Sequence, residues 1–269
     1  MRLLGMAFLA LLIAVSPAMA NKTADVVGDV VSYDPQPAAP TWDGPAAVLW
    51  DNGPFVTHPA GGFGGADASA LQTALGMTIY GFGHQFSVPN YIADDFTVPS
   101  GDTWTIDSIT FFGYQTGSST FSTINGVYFE ILAGPPPGGA LMFGDLTTNR
   151  MTGSVWTNCY RTLDTDISTA TTRPIMANTA DAGGLVLGEG TYWIVWCTNG
   201  TLSSGPWAPP TEVLGSTGSG NGLQSTDGGI SYAPALDLGV QDFPFVIEGN
   251  RGPIATEHTT WGDLKALYK

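Results

Sequence analysis

Apolar and polar positions alternate along this chain with a period of two. Residues 126–132 read GVYFEIL, with Val127, Phe129 and Ile131 alternating against Tyr128 and Glu130, the pattern of a strand with one face on a core. In residues 190–198, Tyr192, Ile194 and Trp196 hold one parity, and Trp193, Val195 and Cys197 the other. Both parities are apolar, which predicts a central strand covered on both sides. Residues 103–114 read TWTIDSITFFGY, and the parity slips within them: Trp104 and Ile106 share one register, Ile109 and Phe111 the other. A β-bulge near Asp107 and Ser108 would return all four to the core side. Further strands are predicted at 46–50, 154–163 and 243–249. Residues 67–75 (DASALQTAL) fit one short helix or a loop.

Breakers shape the rest of the reading. The 269 residues include 36 Gly and 19 Pro, which argues against long helices, coiled coils and helical solenoids. Aromatic side chains are plentiful enough to build a core, so global disorder is excluded. Many short strands between Gly/Pro turns predict an all-β, jelly-roll-like β-sandwich in one domain, residues 46–249. Residues 21–45 form a Pro-rich leader, extended at DPQPAAP (34–40). Residues 250–269 read as a linker and a short amphipathic helix. There Trp261, Leu264 and Tyr268 fall at i, i+3 and i+7, with Leu267 beside them. That helix is too short to stand alone in water, so it must dock on a partner or on its own domain, or fray.

The first twenty residues carry an export signal. Arg2 supplies the positive end, residues 3–15 the apolar run, and PAMA (17–20) the small-x-small cleavage pattern. The run is too short to span a bilayer, and no later stretch is long enough either, so the mature chain is expected to have no transmembrane segment. Export places Cys159 and Cys197, the only two cysteines, in an oxidising compartment, and a disulfide between them is expected. Eight Lys+Arg stand against 23 Asp+Glu, for a net charge of −15. Nucleic-acid binding needs a basic patch that this composition cannot make.

Catalytic signals are sparse. The histidines are His58, His84 and His258, and neither G-x-S-x-G nor H-E-x-x-H occurs. The strand acids Asp107, Glu130 and Glu248 have no acidic partner at i±2 or i±4, although a glycosidase needs two placed carboxyls. Calcium is a candidate cofactor, with Asp51, Asn52, Asp94 and Asp95 as oxygen donors. Adjacent aspartates on one strand point to opposite faces, so only one of Asp94 and Asp95 can reach a given site. In GPWAPP (205–210), prolines stiffen the loop around Trp207, so Trp207, Pro206 and Pro209 form a candidate platform for a sugar face. The alternative is Trp207 folded as a lid on its own sandwich.

Several phrases act together: LGM (75–77) with GFG (81–83), ADDFTV (93–98), WTI (104–106), ITFFGY (109–114), GDLTTNR (144–150), SGPWAPP (204–210) and PFVIEG (244–249). The set resembles an uncharacterised extracellular β-sandwich module of secreted bacterial proteins, often found before a type IX secretion sorting domain. The resemblance covers roughly residues 46–249. It implies a secreted or cell-surface location, and it brings no catalytic residues; no sorting domain of that kind is expected after Gly249. The function expected from the whole is a non-catalytic module that binds a glycan or mediates adhesion. Two alternatives stand beside it: a structural protein docking on a cell-envelope component through its tail, and a carbohydrate-active hydrolase or lyase.

Overall fold

The computed structural model describes residues 23–28, 41–44 and 47–253. The expected export signal, most of the leader and the tail with Trp261, Leu264, Leu267 and Tyr268 lie outside the described residues. The strands are β1 (Ala24–Val26), β2 (Val48–Asp51), β3 (Asp67–Leu71), β4 (Ile79–Gly83), β5 (Tyr91–Gly113), β6 (Ile124–Ala133), β7 (Ala140–Asp145) and β8 (Met151–Leu163). They continue with β9 (Pro174–Gly200), β10 (Trp207–Ala208), β11 (Leu223–Ser225), β12 (Ala233–Pro234), β13 (Leu236–Asp237), β14 (Gly239–Val240) and β15 (Phe245–Pro253). Among the described residues the helical content is two single 3₁₀ turns, Phe63–Gly65 and Thr73–Leu75. The fold is an all-β, jelly-roll-like sandwich.

Two long strands build both leaves. The first half of β5 pairs with the last third of β9 (Ile92↔Trp196 to Val98↔Gly190), and its second half pairs with the start of β9 (Thr103↔Gly188 to Gly113↔Met176). Around the first pairing the order is β12-β11-β5-β9-β6-β7, the first leaf. Around the second it is β2-β15-β5-β9-β8-β3, the second leaf. The chain folds over between Val98 and Thr103, where Pro99–Asp102 crosses a single residue of β9, Glu189. The Glu189 carboxylate accepts hydrogen bonds from Ser100 Oγ (2.7 Å) and Gly101 N (3.0 Å). Gly101 sits at φ 85°, where a side chain would be strained.

The predicted bulge is present. Ile106 and Ser108 pair with consecutive partners on β15, Gly249 and Glu248, which leaves Asp107 as the extra residue. Trp104, Ile106, Ile109 and Phe111 all lie in the core between the leaves. Tyr192, Ile194 and Trp196 join them there, while Val195 and Trp193 pack on the outside of the first leaf. Rings run through that core in contact: Phe96 stacks on Trp104 and Tyr192, and Phe111 on Trp196, which meets Phe243 and Phe245 edge-on.

Residues 67–75 depart from the helix-or-loop expectation. Residues 67–71 form β3, parallel to β8, and only 73–75 turn. Ala68, Ser69 and Ala70 are buried, so small side chains here permit close packing of a strand rather than a helix. The leader also holds structure that its composition did not announce. Strand β1 pairs with β4 and carries Asp25 into the interior. There Arg173 Nε (2.7 Å), Thr116 Oγ1 (2.9 Å) and Tyr114 Oη (3.0 Å) donate to one Asp25 oxygen. The Arg173 guanidinium lies 3.8 Å from the centre of the Tyr80 ring.

Candidate functional site

Trp207 is 1% exposed and packs in the layer outside the second leaf with Leu71, Met77, Tyr80 and Phe112. Its backbone pairs with Gly83 of β4, its Nε1 donates to Ser204 Oγ at 3.3 Å, and Pro206 and Pro209 are buried beside it. The proline-bounded loop folds inward as the lid arrangement, so the indole offers no open platform. This corrects the assignment of Trp207, Pro206 and Pro209 to ligand binding.

The cysteines are also corrected. Both are free and buried. Cys159 belongs to the layer outside the second leaf. Cys197 shares the parity of Trp193 and Val195, which face out from the first leaf. Two sheets and the core between them separate the thiols, and stacked sheets alone lie about 10 Å apart, too far for a disulfide. Burial pushes both thiols above their usual range.

The four calcium candidates do not converge on one site: Asn52 and Asp94 meet, Asp51 closes a turn, and Asp95 stands on the opposite face of β5 beside Trp193. The Asp51 carboxylate accepts from Gly53 N (3.1 Å), closing the DNGP turn. Asn52 accepts from Trp50 Nε1 and donates to Asp94 Oδ2 (3.1 Å) and to the Phe243 carbonyl. Asp94 points into the core, where its oxygens also accept from Phe243 N (2.7 Å) and Asp95 N (2.8 Å). Burial holds the Asp94 carboxyl well above the usual range, and the nearby Asp242 carboxyl raises it further. Asp94 therefore ties the first leaf to the edge of the second with its oxygens already occupied. Among the described residues no group of three or more His, Cys, Asp or Glu side chains is placed to hold a metal ion. His84 is fully buried against Thr198 Oγ1 (3.0 Å), and burial pushes its imidazole down to about 3, so it stays neutral.

The surface with unspent chemistry is the outer face of the first leaf. Ser225 of β11 lies opposite Tyr91, and on the other side of β9 Cys197 lies opposite Tyr128. The next row runs Leu223, Ala93, Val195 and Glu130, and the third Asp95, Trp193, Leu132 and Leu141. Ala93, Val195 and Leu132 are buried under Tyr91, Trp193, Leu223, Leu146 and Tyr232, which remain partly exposed. Leu141 is 59% exposed, and Phe86 stacks on Tyr128 with ring centres 4.0 Å apart. Tyr232 comes from the 225–232 loop, which Asp227 closes by accepting from Ser225 Oγ, Ser231 N and Ser231 Oγ.

Glu130 stands in the middle row. Its carboxyl makes no hydrogen bond or ion pair among the described residues, although it is half-buried. Burial raises its pKa, and Asp145 adds to the rise. Burial likewise raises the phenols of Tyr91 and Tyr232, with the Glu130 charge contributing to both. Neither phenol oxygen is hydrogen-bonded among the described residues. The face therefore combines ring surfaces, free hydroxyls and the unpaired Glu130 carboxyl. Sequence alternation carried part of this face, since Tyr128/Glu130 and Trp193/Val195/Cys197 stand on the parity opposite the core. Tyr232 gave no such signal, because a loop delivers it.

No family model matches the chain, and neither a curated protein nor a solved structure matches it. Among the described residues no helix is long and apolar enough to cross a membrane.

Proposed function

We propose that this chain is a non-catalytic, secreted or cell-surface module that binds a glycan on the outer face of its first leaf. Residues 1–20 support export. The observation that carries the binding reading is the set of partly exposed rings, Tyr91, Trp193 and Tyr232, around free polar groups on one sheet face. Sugar rings present C–H faces to aromatic π-clouds and hydroxyls to neighbouring polar groups, so such a surface meets both sides of their chemistry. Binding is favoured over hydrolysis, which needs a second carboxyl placed across the bond, because the carboxyl that Glu130 senses, Asp145, is already held by Arg150 at 3.0 Å.

The test is depletion of the 21–269 protein from solution by a panel of insoluble polysaccharides, with released sugar assayed in the same tubes. Retention on one polymer without release is expected, and Trp193→Ala and Tyr232→Ala should lose it while keeping a cooperative melt. Retention unchanged in both variants, or absent on every polymer, refutes the reading. Released sugar that depends on Glu130 would replace it with an enzyme.

A further inference from the structure

We infer that the glycan recognised on this face carries free amino groups; the inference rests on the glycan reading above and names its substrate class. Glu130 lies in a row of apolar residues, Leu223, Ala93 and Val195, and no cation answers it. The arginines of the described residues are committed elsewhere. Arg150 pairs with Asp145 at 3.0 Å, Arg161 with Glu212 at 2.7 Å and Arg173 with Asp25 at 2.7 Å. Arg251 donates to the Leu49 carbonyl at 3.2 Å and lies over the Trp104 ring. The described residues contain no lysine.

A neutral sugar stacked on Tyr91, Trp193 and Tyr232 would strip water from Glu130 and return hydroxyl donors but no counter-charge. Desolvating a carboxylate without a counter-charge is costly. A protonated amine on the sugar reverses that balance: it donates charge-assisted hydrogen bonds to Glu130 and lies against the π-faces of neighbouring rings, which also attract cations. The other charged groups near this face are Asp95, Asp227 and the Asp145–Arg150 pair, so the balance of unpaired charge around Glu130 is acidic. The burial that raises the Glu130 pKa is the same uncompensated desolvation.

The experiment compares binding of the intact 21–269 protein to a β-1,4-linked glucosamine polymer, the same polymer fully N-acetylated, and a neutral β-glucan. Because the whole protein is acidic, Glu130→Gln is measured beside Glu189→Gln, a matched charge change at the bend between the leaves. The expected result is tighter binding of the amine polymer. Glu130→Gln should cost it about tenfold or more in affinity, the scale of one charge-assisted contact, while Glu189→Gln leaves it unchanged. Equal losses in the two variants overturn the inference, because the attraction is then only overall charge. Binding of the acetylated or neutral polymer as tightly as the amine polymer also overturns it, with the glycan reading intact. Displacement by polylysine as effective as by soluble glucosamine oligomers overturns it too, since recognition would then be of ammonium alone. Retention on none of the polysaccharides removes the glycan reading itself.

Discussion

Removing one partner of the Arg161–Glu212 pair should be among the most damaging single changes available to this fold. Arg161 NH2 lies 2.7 Å from Glu212 Oε1, and the two side chains are 0% and 1% exposed. The rest of the guanidinium is spent on the backbone and side chains around it: Nε donates to the Tyr80 carbonyl at 2.7 Å and NH1 to Ser69 Oγ at 3.1 Å. Gln72 Nε2 donates to Glu212 Oε2 at 3.2 Å. The pair thus joins β8, β4 and β3 to the loop after β10. Glu212→Gln keeps the size and the Gln72 contact but leaves a cation in a dry site. Breaking a buried pair in this way costs about 3–5 kcal/mol. For a chain of this length each kcal/mol shifts Tm by roughly 2–4 °C, so a fall of about 6–20 °C is expected. Adding Arg161→Met to Glu212→Gln should recover part of the loss, because no charge is then stranded. Urea unfolding of the parent, both single variants and the double variant measures the coupling. A cost for Glu212→Gln below about 1 kcal/mol, the level of an exposed pair, would show that water reaches the site and would refute the reasoning.

The remaining predictions concern other buried groups. Trp207→Ala should destabilise the protein by about 3–5 kcal/mol as a large core truncation without changing polysaccharide retention; a melt that stays put with lost retention would return Trp207 to the binding surface. Cys159 and Cys197 should resist a thiol reagent in the native protein and both react in denaturant, and reductant should leave the melt unchanged; a native mass two hydrogens short would instead establish the disulfide. Asp94, whose folded pKa is raised, should contribute stability fully at pH below its unfolded value of about 3.9 and lose it progressively as pH climbs to the folded pKa. Asp94→Asn cannot ionise, so its urea midpoint should fall less than the parent's between acid and neutral pH; parallel curves would remove Asp94 as the source.

Parity was the most legible feature of the sequence, because side-chain alternation survives whatever the strand pairs with. It located the Asp107 bulge and the two covered faces of 190–198. Strand length was not legible. The PSGD run at 99–102 and the glycines at 183, 184, 188 and 190 carry the composition of turns, yet β5 and β9 continue through them and use them to bend. The cysteines failed for a related reason. Between Trp156 and Tyr160 the register of β8 shifts, and Asn158 takes a φ of 59°. No parity count carried through from 154 could therefore say which way Cys159 points. For Trp207 the sequence left an open platform and a lid side by side, because stiffening prolines fit either, and its burial depends on a two-residue pairing with β4 that local pattern does not encode. Part of the candidate face was visible as the non-core parity of β6 and β9, and the rest depends on how the 225–232 loop folds back.

The continuity of β5 and β9 through both leaves bears on how the molecule would carry load. Under tension, a sandwich made of two independently wound sheets can be peeled open one sheet at a time. Here the two leaves are the halves of one bent strip, so there is no seam along which a sheet can detach while the other stays whole. Tension on β15 is passed to the second half of β5 along a long antiparallel register, from Phe245↔Phe111 to Pro253↔Asp102, and from there around the bend into the first leaf. The ladder rungs of that register are loaded together in shear rather than broken in turn. A single rupture event, with no long-lived half-extended form, is the mechanical signature this topology implies when the protein is stretched by its ends.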